Sequence, residues 1–236
     1  MGIYWEEDQK KEPFEAPENV IDISYLLSGK TLPIDHAQAL SEAILEALPW
    51  FGDEQDAGVH LIHVAASSNG WERPEDSSGV LHLSRRTRMS LRIPRHRLED
   101  AEQLTGQTLD IDGNSVVVGK SSVKPLSILP TLFSRYVVCG EGQEETEFMD
   151  DIYKEFMRLG INARKILCGK SHQLNADAGA IFTRSVMVAD LDPEQSVLLQ
   201  EKGLGAYRKM GCGLFLPHKG IKPVGDVAEK QHFTGS

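Results

Sequence analysis

The chain has 236 residues, of which 40% are hydrophobic and 25% charged, and its formal net charge at pH 7 is −10. This composition is that of a globular protein, and the length suits one large domain or two small ones that each bury a core. The N-terminus lacks the apolar segment of a signal peptide, and no run approaches the roughly 18 apolar residues of a membrane span. These features exclude membrane insertion and predict a cytoplasmic protein.

Metal and disulfide sites find little support in the sequence. Cys139, Cys168 and Cys212 form no Cys-x-x-Cys pair, so neither a disulfide framework nor a zinc site is indicated. His60 and His63 are a further candidate pair for a metal. A separation of three residues on a regular strand places their side chains on opposite faces. We therefore predict no metal site and no cofactor.

The charges are distributed unevenly along the chain. Residues 6–18 hold six acids, and residues 141–155 hold seven acids against one lysine, whereas residues 85–97 contain six arginines and no acid. Electrostatic interactions are screened over about 8 Å at physiological salt, so the local charge decides what binds. An acidic chain can therefore still present a basic binding site.

The first half of the chain predicts the element order βαββαβ. Residues 1–18 are polar and acidic and predict a flexible lead-in. Apolar residues at helical spacing predict a helix that ends at Pro49, with Asp35 as N-cap and Gln38 completing a capping box. The other predicted strands of this half are 20–27, 59–65, a third made of 80–83 and 89–93 that either runs straight or bends through the arginines, and 109–118 with a turn at Asp112-Gly113. A loop over 71–79 and a helix from Pro94 to Leu104 complete the half.

The second half repeats this order without repeating the sequence. Its predicted elements are strands over 132–139, 163–168, 181–188 and 213–217, a helix over 146–159, and a short helix that follows Asp192 and stops at Gly203. Two βαββαβ units predict an α+β fold of two tandem ferredoxin-like (RRM-like) domains, with a binding cleft between their sheets. The predicted division is a lead-in over 1–18, an N-terminal domain over 19–120, a linker over 121–130, a C-terminal domain over 131–218 and a polar tail over 219–236.

A glycine-rich loop over 203–213 joins the last helix to the last strand. Glycine adopts positive φ without strain, so such a loop can expose backbone amides beside its two cations, as binding to a polyanion requires. The candidate contacts to such a polyanion in this loop are Gly203, Gly205, Tyr207, Arg208, Lys209, Gly211 and Gly213.

Two motifs, one near each end of the chain, resemble those of a known family. Residues 199–215, with Gly203-Leu-Gly and Met210-Gly-Cys-Gly-Leu-Phe, resemble the C-terminal glycine-rich loop of the CRISPR-RNA-processing endoribonucleases of the RAMP superfamily. Leu32-Pro-Ile-Asp-His36 resembles the segment that carries the catalytic histidine of that family. The chain departs from the family loop at Ala206-Tyr207, where many members carry another glycine and an arginine.

The resemblance implies the same tandem ferredoxin-like fold and an activity. A member of this family cleaves precursor CRISPR RNA within its repeats and is expected to retain the mature crRNA. The 2′-hydroxyl attacks the adjacent phosphorus, so the enzyme supplies a proton acceptor, a proton donor and cations, and needs no metal. Other subunits of a CRISPR interference complex are further implied partners, without direct contact to DNA or a membrane. The alternative is a non-catalytic, RNA-binding RAMP subunit of such a complex.

His36 and Tyr25 are the candidate catalytic residues. His36 falls at the first helical position if Asp35 is the N-cap, where the positive end of the helix keeps an imidazole neutral and binds anions. The alternative is a histidine that only packs at the helix start, and the motif favours catalysis, as base, acid or both. Tyr25 on the first strand could assist, and its alternative is a core aromatic.

The six arginines over 85–97 are candidates for binding the phosphates of the repeat RNA or for neutralising the transition state. Alternate residues of a strand share a face, so Arg86, Arg88 and Arg92 lie together and Arg85 does not. Arg95 and Arg97 belong to the following helix. The alternative interpretation is a solvated charged face.

Overall fold

The computed structural model describes residues 14–64 and 79–218. Residues 1–13 of the predicted lead-in, most of the predicted loop over 71–79, and the polar tail over 219–236 lie outside these ranges. No helix within the described ranges combines the length and apolar character needed to cross a bilayer.

The N-terminal domain is built on a five-stranded antiparallel sheet with the order β3-β5-β1-β7-β6. Its strands and helices are β1 (Val20–Ser28), β2 (Thr31–Pro33), α1 (Ala37–Ala47), α2 (Trp50–Asp53), β3 (Gly58–His60), β4 (Val80–His82), β5 (Arg88–Pro94), α3 (Leu98–Glu102), β6 (Thr108–Ile111) and β7 (Asn114–Pro125). The inner order β3-β5-β1-β7 is that of a βαββαβ unit, to which β6 is added at the edge. The turn between β6 and β7 contains Asp112 and Gly113, both at positive φ, which confirms the predicted turn.

The C-terminal domain repeats this topology with a four-stranded sheet of order β11-β8-β10-β9. Its elements are β8 (Leu132–Val138), α4 (Glu145–Leu159), β9 (Lys165–Ala176), β10 (Gly179–Ala189), α5 (Pro193–Lys202) and β11 (Leu216–Pro217). The buried side chains of α4 are Phe148, Ile152 and Phe156, spaced by four residues, and the helix ends at Gly160 with φ 72°. The prediction of two tandem ferredoxin-like domains is confirmed.

One predicted strand of the N-terminal half is in fact two. Residues 80–82 form β4, which pairs with β2 in a separate two-stranded sheet, while β5 belongs to the main sheet. The chain turns between them because the Ser84 amide donates to Thr87 Oγ1 at 2.9 Å and the Thr87 amide donates to Ser84 O at 3.0 Å. The exposed residues Arg85 and Arg86 lie at the tip of this turn.

The predicted linker over 121–130 begins too early. Strand β7 continues to Pro125 because its last residues remain paired with β1, from Tyr25 opposite Ser121 to Ile21 opposite Pro125. Only residues 126–131 connect β7 to β8.

The predicted capping box at the start of α1 is wrong. The N-cap position is occupied by His36, and no side chain caps the helix. Asp35 and Gln38 instead bind the hairpin of β9 and β10, because the amide of Asn175 donates to Asp35 Oδ2 at 2.9 Å and that of Asp177 to Gln38 Oε1 at 2.6 Å. Asp35 and Gln38 have the spacing of a local capping box, but their side chains bond the N-terminal domain to the C-terminal domain.

The apolar core runs continuously from one domain into the other. Ile21, Ile23 and Tyr25 of β1 are fully buried in the same cluster as Tyr136 of β8 and Leu174 of β9. The alternate residues of β1 point to the opposite face of the sheet. That face is turned toward the C-terminal domain and carries the candidate site.

Candidate nucleic-acid interface

A row of polar side chains crosses four strands on the sheet face that is turned toward the C-terminal domain. Cross-strand partners share a face of the sheet. The row consists of His60 on β3, Ser90 on β5, Ser24 on β1 and Ser122 on β7. Ser90 Oγ donates to Ser24 Oγ at 3.0 Å. The sheet therefore presents hydroxyl and imidazole groups to the space between the two domains.

Two adjoining cavities lie between this face and the C-terminal domain. The larger, of about 400 Å³, includes Arg86, Arg88 and Lys124 in its wall. The smaller, of about 110 Å³, is bounded on its far side by Phe133 and Arg135 of β8. Residues common to both cavities are His60, Leu61, His63 and Leu216. The cleft between the two sheets thus contains the cations expected of a polyanion site.

Asp22 is the one acid among the described residues that line these cavities, and its charge is already neutralised. The Arg92 Nε and Nη2 atoms donate to its two carboxylate oxygens, each at 2.9 Å. Burial alone would raise the pKa of Asp22, but the nearby Arg92 guanidinium and His60 ring hold it well below its usual range. The cleft therefore keeps a net positive lining for the phosphates of a nucleic acid.

Arg92 lies at the domain interface. Its side chain is fully buried, and its Nη1 atom donates to Gln200 O at 2.7 Å and to Phe215 O at 3.0 Å. Together with the Asp22 bonds, these contacts use its donors on protein atoms of both domains. We therefore assign Arg92 to the interface and not to the surface that meets RNA, in contrast to Arg85, Arg86 and Arg88, which are exposed.

The two cations of the glycine-rich loop are also bound to protein. Arg208 Nη2 donates to Asp56 O at 2.8 Å and to Glu201 O at 2.9 Å. Lys209 Nζ donates to Ala57 O at 2.9 Å and lies 4.8 Å from the centre of the Phe51 ring. These bonds attach the loop to the N-terminal domain.

The protein surroundings lower the pKa of both Arg208 and Lys209. Desolvation and the neighbouring Arg92 charge lower the pKa of Arg208 to about 10. Desolvation and the charge of Arg208 lower the pKa of Lys209 to about 8. Of the predicted side-chain contacts in this loop, Tyr207 is the one whose side chain is about half exposed, at 48%.

The glycines of the loop serve its packing. Gly203, Gly205, Gly211 and Gly213 all have positive φ. A Cβ at Gly213 would lie 1.9 Å from the Leu204 carbonyl oxygen, and one at Gly211 would lie 2.6 Å from Leu61 Cγ. At Gly211 and Gly213 the backbone therefore approaches other backbone and core atoms too closely for a side chain.

His36 is buried, with 2% of its surface exposed. Its Nε2 atom accepts the amide hydrogen of Ile62 at 3.0 Å, so Nδ1 carries the ring proton and donates to Pro33 O at 2.9 Å. His36 is not among the described residues that line the two cavities. The structure thus places the ring behind the cleft wall, at the N-cap of α1, and ties it to the segment that forms that wall.

Tyr25 lies on the opposite side of the sheet from the cleft. Its side chain is fully buried, and its hydroxyl donates to Ala101 O at 2.7 Å. Burial and the nearby Glu102 carboxylate raise its pKa above the ordinary tyrosine value. This is the position of a core aromatic, as the alternative interpretation had it.

His60 and His63 do share one side of the molecule, and the sequence argument that separated them is wrong. That argument assumed a strand over 59–65, but β3 ends at His60, so the alternation of faces does not extend to His63. Both residues line both cavities. Within residues 14–64 and 79–218, no group of three or more potential metal ligands accompanies them.

The fold and the cleft define a class: tandem ferredoxin-like proteins whose two sheets enclose a cationic, histidine-containing cleft. A sequence model described as "Cas6 Crispr" matches residues 21–220. The chain therefore belongs to the Cas6 family.

Individual relatives agree with this assignment. The chain is 28% identical over 197 residues to the "CRISPR-associated endonuclease Cas6" of Myxococcus xanthus (strain DK1622), which covers 84% of this chain and 81% of that protein. Two solved structures share the fold. One, "CRISPR associated protein Cas6", has a TM-score of 0.57 at 13% identity and covers 85% of this chain and 100% of its own. The other, "An RAMP protein binding different RNA substrates", has a TM-score of 0.60 at 17% identity and covers 83% and 98%.

Proposed function

We propose that this chain is a metal-independent endoribonuclease that cuts precursor CRISPR RNA within its repeats and retains the crRNA product. The observation that carries the proposal is the cleft between the two sheets, which combines two histidines with Arg86, Arg88 and Lys124 in a chain of the Cas6 family. The Myxococcus xanthus relative is named an endonuclease, in agreement with a catalytic role.

The reaction needs only groups that this cleft contains. Attack of the 2′-hydroxyl on the adjacent phosphorus requires a proton acceptor for the nucleophile and a proton donor for the leaving 5′-oxygen. It also requires cations near the oxygens of the phosphorane. Imidazole rings and guanidinium groups meet these needs, so the expected products are a cyclic phosphate and a 5′-hydroxyl without the help of a metal ion.

The exposed cations hold the RNA in this proposal. Arg85 and Arg86 at the turn before β5, and Arg88 at its start, offer guanidinium groups to successive phosphates. Tyr207 offers a partly exposed ring on which a base can stack. Arg92, Arg208, Lys209 and the loop glycines Gly203, Gly205, Gly211 and Gly213 build the frame that fixes these groups relative to each other.

The alternative function is a non-catalytic RNA-binding RAMP subunit of an interference complex. The burial of His36, the histidine in the family-like motif, is the observation that favours it. In either case the RNA partner is a CRISPR repeat, and other subunits of an interference complex are further partners. We place the reaction or the assembly in the cytoplasm.

Incubation with repeat RNA separates these functions. The purified protein is mixed with a synthetic RNA of one repeat, in EDTA, and with the same RNA carrying a 2′-deoxy nucleotide at the mapped cleavage position. We expect cleavage of the all-ribose RNA to a cyclic phosphate at an unchanged rate in EDTA, and binding without cleavage of the deoxy RNA. Binding of both RNAs without cleavage would establish the non-catalytic subunit, and loss of cleavage in EDTA would contradict a metal-independent reaction.

A further inference from the structure

His60 and His63 occupy the place in the cleft where an RNA phosphate and the cations would meet. Both residues line the larger cavity together with Arg86, Arg88 and Lys124, and both line the smaller one together with Arg135. A phosphodiester bound between these cations therefore lies beside two imidazole rings. Cleavage by the 2′-hydroxyl requires one proton acceptor and one proton donor, and two imidazole rings can supply both.

The buried His36 ring is bonded to the segment that carries this pair. Its Nε2 atom accepts the amide hydrogen of Ile62, the residue directly before His63 and two residues after His60. Its other nitrogen donates to Pro33 O, so the ring joins this segment to the end of β2. Because β3 ends at His60, this bond fixes the backbone between the two histidines where the sheet no longer does.

We propose that His63 and His60 are the base and the acid of the RNA cleavage described above, and that His36 is a positioning residue that holds the backbone between them. The assignment rests on the proposed endoribonuclease function and goes further by naming its proton carriers. The proton transfers are thereby assigned to two histidines that belong to no recognised motif, and not to His36 of the family-like motif.

The two rings have different electrostatic surroundings, which sets their roles. His63 is exposed and lines the smaller cavity together with Arg135. Desolvation by surrounding protein atoms and the Arg135 guanidinium lower its pKa, so the ring is neutral before the reaction, as a proton acceptor must be. His60 Nε2 lies 3.4 Å from Asp22 Oδ1, so a carboxylate stands beside the ring that we assign as the proton donor. Paired titratable groups in contrasting environments are typical of acid and base partners.

The proton and electron balance of the step is complete. The 2′-oxygen forms a bond to phosphorus as its proton passes to His63. The bond from phosphorus to the 5′-oxygen breaks with its electron pair on that oxygen, which takes a proton from the imidazolium of His60. The products are a 2′,3′-cyclic phosphate and a 5′-hydroxyl, and exchange with water returns both rings to their starting states.

The test compares single-turnover cleavage by His60→Gln, His63→Gln and the exposed control His82→Gln, which lies on β4 outside both cavities. Glutamine keeps hydrogen-bonding capacity without acid–base chemistry. We expect the two cleft variants to cleave repeat RNA about 10²- to 10⁴-fold more slowly, the usual value of such catalysis. Their affinity for the 2′-deoxy RNA should stay within a few-fold of the wild type, and His82→Gln should cleave at the wild-type rate.

A second substrate distinguishes acid from base and both from a structural effect. In an RNA with sulfur in place of the 5′-bridging oxygen, the leaving thiolate needs no proton. We expect this substrate to restore cleavage by His60→Gln to within about 10-fold of the wild type, and to leave His63→Gln slow. Equal failure of both variants on the sulfur substrate would overturn the assigned roles.

The His36 variants complete the experiment. His36→Gln can present an acceptor to the Ile62 amide, whereas His36→Ala cannot, so the positioning role predicts that glutamine restores most of the cleavage rate lost with alanine. If both His36 variants are equally slow while His60→Gln and His63→Gln cleave like the wild type, the inference is wrong and the chemistry belongs to His36. If the wild type does not cleave at all, the proposed function fails, and this inference fails with it.

Discussion

The exposed arginines around the start of β5 and the cations at the domain interface differ in what surrounds them, although both sets look alike in the sequence. Arg86 and Arg88 are exposed at the rim of the larger cavity. Arg92, only four residues further along, is fully buried and bonded to Asp22 and to two carbonyl groups of the C-terminal domain. The comparison teaches that the acceptors near a cation, and not the density of cations, separate binding groups from structural ones.

Removal of Arg92 should have the largest effect on stability. Arg92→Met removes both guanidinium bonds from the half-buried Asp22 carboxylate and the donor from two carbonyl groups, so we expect the free energy of unfolding to fall by about 3–5 kcal/mol. Urea unfolding of the free protein measures this, and Arg88→Met, which changes an exposed residue of the same strand, should stay within about 0.5 kcal/mol of the wild type. A stable Arg92→Met variant that binds RNA weakly would place Arg92 on the binding surface after all.

The glycine-rich loop allows the same comparison with backbone positions. Gly213→Ala places a Cβ 1.9 Å from Leu204 O, whereas at Gly205 the nearest atom outside its chain neighbours is Val138 Cβ at 3.9 Å. Both positions have positive φ, so alanine at Gly205 should cost about 1–2 kcal/mol. At Gly213 the forced backbone shift adds about 1–3 kcal/mol. Thermal unfolding of both variants measures the difference, and equal losses would mean that conformation alone requires these glycines.

The smallest effect on stability, and a clear effect on RNA, is expected from Arg86 and Arg88. Replacement of both by glutamine should weaken binding of single-stranded repeat RNA. It should also reduce the slope of log affinity against log salt by about 1.4, because each lost phosphate contact removes about 0.7. The unfolding free energy should stay within about 0.5 kcal/mol. An unchanged affinity and slope would show that these arginines are only a solvated face.

The order of strands and helices was predictable because it depends on local patterns of apolar residues and turns. Side chains that bond across the domains were not predictable in this way. Asp35 and Gln38 have the spacing of a capping box, but the amides of the β9–β10 hairpin, about 140 residues later, bind them instead. The end of β7 was placed too early because residues 121–125 gain their strand structure from pairing with β1.

The candidate site shows the same limit. The family-like motif drew attention to His36, and the structure ties that ring to the Ile62 amide. The spacing of His60 and His63 implies opposite faces only for a strand that continues past residue 60, and β3 ends there. The end of β3 is set by its pairing with β5, which stops at His60 opposite Ser90. The spacing of two histidines in a sequence therefore says little until the end of the strand that carries them is known.

The bonds of Arg92 also bear on how this protein is made. The two carbonyl groups that Arg92 binds lie 108 and 123 residues later in the chain. During synthesis the N-terminal domain therefore emerges with a charged side chain that can bind Asp22 but lacks its two carbonyl partners. Contacts between residues so far apart form late and slow folding. The ribosome must have added residue 215 before the cleft can close, so an incomplete chain has no finished site with which to capture RNA.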